Sequence, residues 1–292
     1  MPHHVAASEP GGIHSVTAAE AEPLVRAGSV FVLDVRTPGE YERLGHIPGA
    51  ALVPVDFAVS ALAVLPYDGR PVLVVCEHGV RSVHASRVLA AGGVPEVLNL
   101  LGGMAAWTGA REHTPGRLRG PSDWLLGQGR RLPAGGRVLD VASGAGRHAL
   151  LLASLGFDVR AVDRDAETIE RLAATAGRLG LALEAALVDL EQDSTRLGEA
   201  EYDVVLGFRY LHRPLFLALV RALRPGGLLL YETFTTAHAA AGRTPSNPDH
   251  LLNPGELPRL VDGLEIVDAR EGEVDGDHIA SIAARKPLDA QV

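Results

Sequence analysis

A single cysteine, Cys76, stands directly after the apolar run PVLVV (71–75) and directly before EHGVRS (77–82). A thiol at the carboxyl end of a strand, facing backbone N–H groups of a loop that leads into a helix, sits in a field that favours an anion. The thiolate is the reactive form, so this placement suits nucleophilic chemistry at sulfur and the holding of a persulfide anion. Gly79 permits the sharp turn that such a loop requires. One cysteine forms no intrachain disulfide and no cysteine-rich zinc site. Cys76 is therefore either an inert core residue or a reactive one.

A second constellation lies further along. Val138 to Ser143 form a strand that runs into GAGRHA and then into a helix. Gly144 and Gly146 let the backbone approach a ligand closely at the strand's carboxyl edge, where open α/β sheets bind cofactors. Asp163 ends the next strand, 19 residues after Gly144, a spacing that suits a carboxylate accepting hydrogen bonds from ribose hydroxyls. Gly144, Gly146 and Ala149 also satisfy the dinucleotide pattern G-x-G-x-x-A, so the glycines alone leave a nicotinamide cofactor open. Asp140 discriminates: a carboxylate near the loop repels a pyrophosphate and attracts the ammonium of a methionine moiety.

Further residues belong to the same sheet edge. FRYLHRP (208–214) follows the fourth strand and offers Arg209, Tyr210 and His212 to an acceptor molecule, with Arg213 beside them; Tyr210 packing and His212 capping the next helix are the ordinary alternatives. PSDWLL places Trp124 either as a lid or on a helix packed against the sheet. The polar, Pro-rich stretch 232–257 is long enough to cover the site. Its histidines have no metal-ligand spacing, and no metal is expected.

Positioning these groups requires a folded α/β scaffold. The chain has 292 residues, of which 47% are apolar and 22% charged, a globular composition long enough for about two domains. The net charge of −9 disfavours nucleic acid as a partner. No run approaches the roughly 20 apolar residues of a spanning helix, and the start has no signal-peptide core, so a cytoplasmic protein without membrane contact is expected. The first ten or so residues read as a flexible leader. Thr17 and Glu20 form a capping box for a helix ending near Gly28. VFVLDVR, GAALVP, RPVLVVC and VPEVLNL read as strands, with a helix over 81–93. The segment 108–122 combines Gly, Pro and charge without apolar period and reads as the domain boundary. Beyond it RVLDVAS, DVRAVDR, LEAALVDLE, YDVVLGFRYL and GLLLYETF are strands, and GLEIVDAREGEV with HIASIAARK form an antiparallel hairpin about DGD.

The motifs carry family resemblances. CEHGVRS fits the rhodanese active-loop pattern C-x-x-G-x-R-S, and LDVRTPGEY, GHIPGA and NLLGGMAAW resemble its other signatures in the same order. The resemblance implies a sulfane sulfur on Cys76, cradled by backbone amides of Glu77, His78, Gly79, Val80, Arg81 and Ser82, with Arg81 supporting the loop and Asp34 and Arg36 mainly structural. Glu77 brings a negative charge beside the thiol, which bears on anionic donors such as thiosulfate. LDVASGAG, VDLE and PGGLLLYE resemble motifs of class I methyltransferases that use S-adenosylmethionine (SAM). That resemblance implies SAM as cofactor, bound by Asp140, Gly144, Gly146, Asp163, Arg164, Asp189, Leu190 and Phe208, with Trp124, Arg209, Tyr210 and His212 around the acceptor. YLHRPLF and SNPDHLLNPGEL are similar to small-molecule methyltransferases grouped with tellurite-resistance enzymes.

The implied architecture is a rhodanese-like parallel-sheet domain over 13–110, a linker over 111–121, and a Rossmann-like seven-stranded methyltransferase domain over 122–288. The expected partners are a small methyl acceptor and a sulfur donor. A sulfur acceptor is favoured, because a linked sulfur carrier raises its local concentration. Methylation of oxygen or nitrogen in a metabolite, with the first domain acting separately or as a docking module, is the alternative.

Overall fold

The computed structural model describes residues 12–288; the leader inferred from composition lies outside the described residues. The chain divides into two compact units that meet in sequence between Pro121 and Ser122.

The first unit contains β1 (Ile13–Val16), α1 (Ala18–Arg26), β2 (Phe31–Asp34), α2 (Pro38–Arg43), β3 (Ala51–Leu52), α3 (Ala58–Ala61), β4 (Val72–Val75), α4 (Val80–Ala91), β5 (Val97–Leu100) and α5 (Gly103–Ala106). Its five strands form a sheet in the order β1-β5-β4-β2-β3, parallel throughout. β4 and β5 are buried along their whole length, as strands covered on both faces must be. Capping boxes start both early helices. Thr17 and Glu20 close α1 as expected, and Thr37 with Glu40 close α2 in the same manner.

The stretch 111–121 has a linker's composition, yet it lies along the first unit. His46 and Glu112 exchange backbone hydrogen bonds of 2.9 Å, and Arg119 N–H donates to the Leu52 carbonyl at 3.0 Å. Gly116 sits against the side chains of Leu52 and Tyr41 so closely that a Cβ would meet them at 2.6 and 2.7 Å. Its glycine follows a surface instead of loosening a tether.

The second unit contains α6 (Asp123–Gly127), β6 (Arg137–Val141), α7 (Arg147–Ser154), β7 (Asp158–Asp163), α8 (Ala166–Leu179), β8 (Leu183–Leu187), β9 (Tyr202–Phe208), α9 (Phe216–Ala222), β10 (Leu223–Phe234), α10 (Thr236–Ala240), α11 (Leu257–Leu260), β11 (Glu265–Val274) and β12 (Asp277–Arg285). Seven strands run in the order β11-β12-β10-β9-β6-β7-β8. β6 to β10 pair in parallel, whereas β12 is antiparallel to both neighbours. The hairpin turns at Asp275 and Gly276, both at positive φ, which is what a two-residue turn between twisted strands demands. The strand order reverses at β6, so the crevice beyond its carboxyl end is the natural ligand site of this sheet. Among the described residues no helix is long and apolar enough to cross a membrane.

Candidate functional site

The sulfur loop is built by three elements. β4 delivers Cys76 to the sheet edge, where the residue is 1% exposed. Its Sγ accepts the Gly79 N–H at 3.1 Å and lies 3.3 Å from the Ser82 hydroxyl. Gly79 precedes α4 at φ +83, and a Cβ there would press on Leu100 O and Gly102 N at 3.2 and 3.1 Å. The start of α5 holds the loop from the other side: Met104 N–H donates to the Cys76 carbonyl at 2.7 Å and Ala105 N–H to the Glu77 carbonyl at 2.9 Å. Gly103, at φ +61, lets α5 come this close, because a Cβ would fall 2.6 Å from the carbonyl atoms of Glu77. The glycine pair of NLLGGMAAW thus shapes the cysteine loop from a distance in sequence.

Charges around the loop are paired. Arg36 is fully buried; it donates to both Asp34 oxygens, to the Gly45 carbonyl and, at 2.8 Å, to Glu77. The negative charge of Glu77 is therefore directed at Arg36. Arg81 reaches Glu40 with contacts of 2.5 and 2.9 Å. This hydrogen-bonded pairing holds the Glu40 carboxyl down at about 2. His78 and Val80 are exposed, Val80 by 76%.

In the second unit β6 ends in a loop whose glycines adopt left-handed conformations, Gly144 at φ +52 and Gly146 at φ +80. Gly144 N–H donates to Asp163 Oδ2 at 2.8 Å, and Asp165 N–H to Asp163 Oδ1 at 3.0 Å. Asp163 thus ties the loop to the end of β7, with lone pairs left over for a ligand. Asp163, Arg164, Asp189 and Leu190 line one cleft together with Ala142, Val188, Glu191 and Tyr210. Ala142 is itself at φ +50, a strained conformation of the kind that gathers at binding sites. Carboxylates of Asp163 and Asp189 beside the apolar Ala142, Val188 and Leu190 suit a nucleoside with its ribose hydroxyls.

Asp140 lies 1% exposed, and its Oδ2 has no hydrogen-bond partner. Burial pushes its carboxyl up to about 7. A buried acceptor left open two residues before Ala142, which lines the cleft, fits a cationic group such as the ammonium of SAM.

Comparison with known proteins follows this geometry. A profile of the rhodanese-like domain matches residues 17–110, and a profile of the methyltransferase domain matches residues 138–227. The chain is 36% identical over 87 residues to a sulfurtransferase of Allochromatium vinosum, covering 30% of this chain and 79% of that protein. It is 30% identical over 95 residues to the thiosulfate sulfurtransferase GlpE of Pseudoalteromonas translucida, covering 32% and 89%. The chain is a rhodanese-like domain fused to a methyltransferase domain. Similar solved structures include TehB from Haemophilus influenzae, with 22% identity, a TM-score of 0.47 and coverage of 56% of this chain and 61% of that one. A SAM-dependent methyltransferase from Methanosarcina mazei has 19% identity, a TM-score of 0.47 and coverage of 58% and 100%.

The other residues singled out in the methyltransferase domain have varied surroundings. Phe208 is buried against His148, with ring centroids 4.2 Å apart, and is not among the residues lining the cleft of Asp163 and Asp189. Trp124 takes the second of its two expected places, on a helix packed against the sheet: its ring is buried, its N–H donates to the Ile282 carbonyl at 3.3 Å, and Arg270 lies over it. Arg209 is ion-paired with Asp277 at 3.0 Å and lies over Phe234. Tyr210, expected near the acceptor, lines the cleft with Asp163 and Asp189, where burial and then Glu191 push its phenol up to about 12. His212 lines an adjacent cleft with Asn247 and His250, and Glu191 belongs to both clefts. Arg213 grips Glu256 at 2.5 and 3.0 Å and the carbonyls of Asp249 and Leu251, so it fastens the Pro-rich segment beside that cleft.

A buried polar network was not foreseen. Glu232 accepts from Ser122 Oγ at 3.0 Å, Ser281 Oγ at 2.8 Å and Arg270 at 3.1 Å. His148, kept neutral by burial, accepts the Ser122 N–H at 3.1 Å. A glutamate within the apolar run LLLYETF was its only local signal.

Proposed function

We propose that the methyltransferase domain uses SAM to methylate a small sulfur nucleophile, a thiol, persulfide or hydrosulfide, and that the rhodanese-like domain carries this sulfur as a persulfide on Cys76. The observation that carries the proposal is the presence on one chain of a thiol held by anion-stabilising donors and a glycine loop with an open, buried carboxylate.

The Cys76 thiolate attacks the outer sulfur of a donor, and the donor's remaining group leaves with the electron pair. The Gly79 N–H and Ser82 hydroxyl stay on the inner sulfur as the persulfide forms. A thiol acceptor then takes the outer sulfur as a new persulfide and returns Cys76 to its thiolate; a second equivalent of thiol releases hydrosulfide and is oxidised to a disulfide. SAM, held by the glycine loop and the carboxylates of Asp140 and Asp163, would supply the electrophilic methyl carbon. A sulfur anion needs no proton removed, so general-base catalysis is not required of His212. The neighbouring clefts that share Glu191 support this division into a nucleoside side and an acceptor side.

Two measurements test the assignment of the sites. Persulfide transfer to a thiol should fall by at least about a hundredfold in Cys76→Ala. Calorimetric titration should show SAM binding and no NAD binding. Full sulfur transfer by Cys76→Ala, or NAD bound in place of SAM, contradicts it.

A further inference from the structure

The charge pairing around the sulfur loop points to the donor. We infer that the Glu40–Arg81 ion pair makes the loop select a persulfidated thiol over a dianionic donor such as thiosulfate. The inference rests on Cys76 as the sulfur carrier. The guanidinium groups of Arg36 and Arg81 are both committed. Arg36 lies in the core between Asp34 and Glu77. Arg81 opens α4 five residues after Cys76, within electrostatic reach of the thiol, and it is turned onto Glu40 by a bidentate contact. Asp34, Glu40 and Glu77 set three carboxylates against these two cations.

A fork-to-carboxylate pair is among the stronger surface contacts, because both N–H groups are aligned. Glu40 is further held by Thr37, whose backbone N–H and hydroxyl both donate to it at 3.0 and 2.8 Å. Arg81 thus cannot turn to an incoming dianion without leaving a fixed carboxylate unpaired. The backbone amides remain as donors for one negative charge at sulfur, which is what a persulfide exchange generates. In that exchange the Cys76 thiolate bonds to the outer sulfur of R–S–SH, the S–S bond of the donor breaks, and R–S⁻ departs with the pair. With thiosulfate the same attack expels sulfite, and its extra charge must be met by a cation that Glu40 occupies.

Glu40→Gln tests this, because glutamine keeps the capping role at this helix position while removing the charge. The ratio of kcat/KM for thiosulfate to kcat/KM for glutathione persulfide should rise about tenfold, the scale of one charge at close range in a half-exposed site. The rise should disappear in Glu40→Gln/Arg81→Gln and shrink at high salt. Thr37→Ala, which weakens the cap and leaves the ion pair, should move the ratio less than about twofold. An unchanged ratio in Glu40→Gln, with both donors still used, overturns the inference and leaves the sulfur-carrier reading standing. Loss of turnover with both donors in the unaltered protein would overturn the two together.

Discussion

At the scale of single residues, the proposed chemistry rests on Asp140 and Cys76. Asp140 is a carboxyl whose folded-state value, about 7, lies above that of an unfolded aspartate near 4. Between those values the folded form holds a proton that the unfolded chain has released, so stability falls as pH rises from about 4 to about 7 and then levels off. The loss is on the order of 4 kcal/mol. Denaturant titrations of ligand-free protein should show this slope, and Asp140→Asn should flatten it and be the more stable protein at neutral pH. A cationic ligand reverses the balance by favouring the carboxylate. SAM affinity should therefore increase with pH up to about 7 in the unaltered protein. In Asp140→Asn it should be weaker and nearly independent of pH. A pH-independent affinity in both would separate Asp140 from the ligand.

At the scale of elements, the tightest constraint is the approach of α5 to the cysteine loop. Gly103→Ala would set a methyl group against main-chain atoms of Cys76 and Glu77 at a positive φ, where neither side can yield cheaply. The expected cost is about 2–4 kcal/mol, read as a lowered denaturation midpoint, with sulfur transfer lost before methyl transfer. The elements themselves were largely legible in the sequence, since their signals are local. Thr17 with Glu20 announced α1, and the DGD turn announced the hairpin of β11 and β12. The same box in T-P-G-E announced α2 and could have been read. What escaped was the choice of distant partners. Glu40 and Arg81 are 41 residues apart, and Ser122 and Glu232 are 110 apart. Nothing in either neighbourhood specifies the pair. Which of their expected surroundings Trp124 and Tyr210 would take was illegible for a related reason: an aromatic residue at a sheet edge packs on whichever neighbour the topology supplies, and only the folded strands decide it.

At the scale of the whole molecule, the chain joins two sheets that each present reactive groups at the carboxyl ends of parallel strands, the usual site of chemistry in such folds. Cys76 follows β4 in one; in the other Asp140 lies one residue before the end of β6 and Asp163 ends β7. Fusion makes delivery of sulfur concentration-independent if the outer sulfur of the persulfide becomes the methylated atom. Mass spectrometry of the products formed from SAM, a reducing thiol and a donor labelled with heavy sulfur in its outer position tests that link most directly. The labelled atom should appear in a methylated thiol or methanethiol with the unaltered protein and be absent with Cys76→Ala. Methyl groups found only on oxygen, nitrogen or unlabelled sulfur, or equal labelling by both proteins, would contradict it.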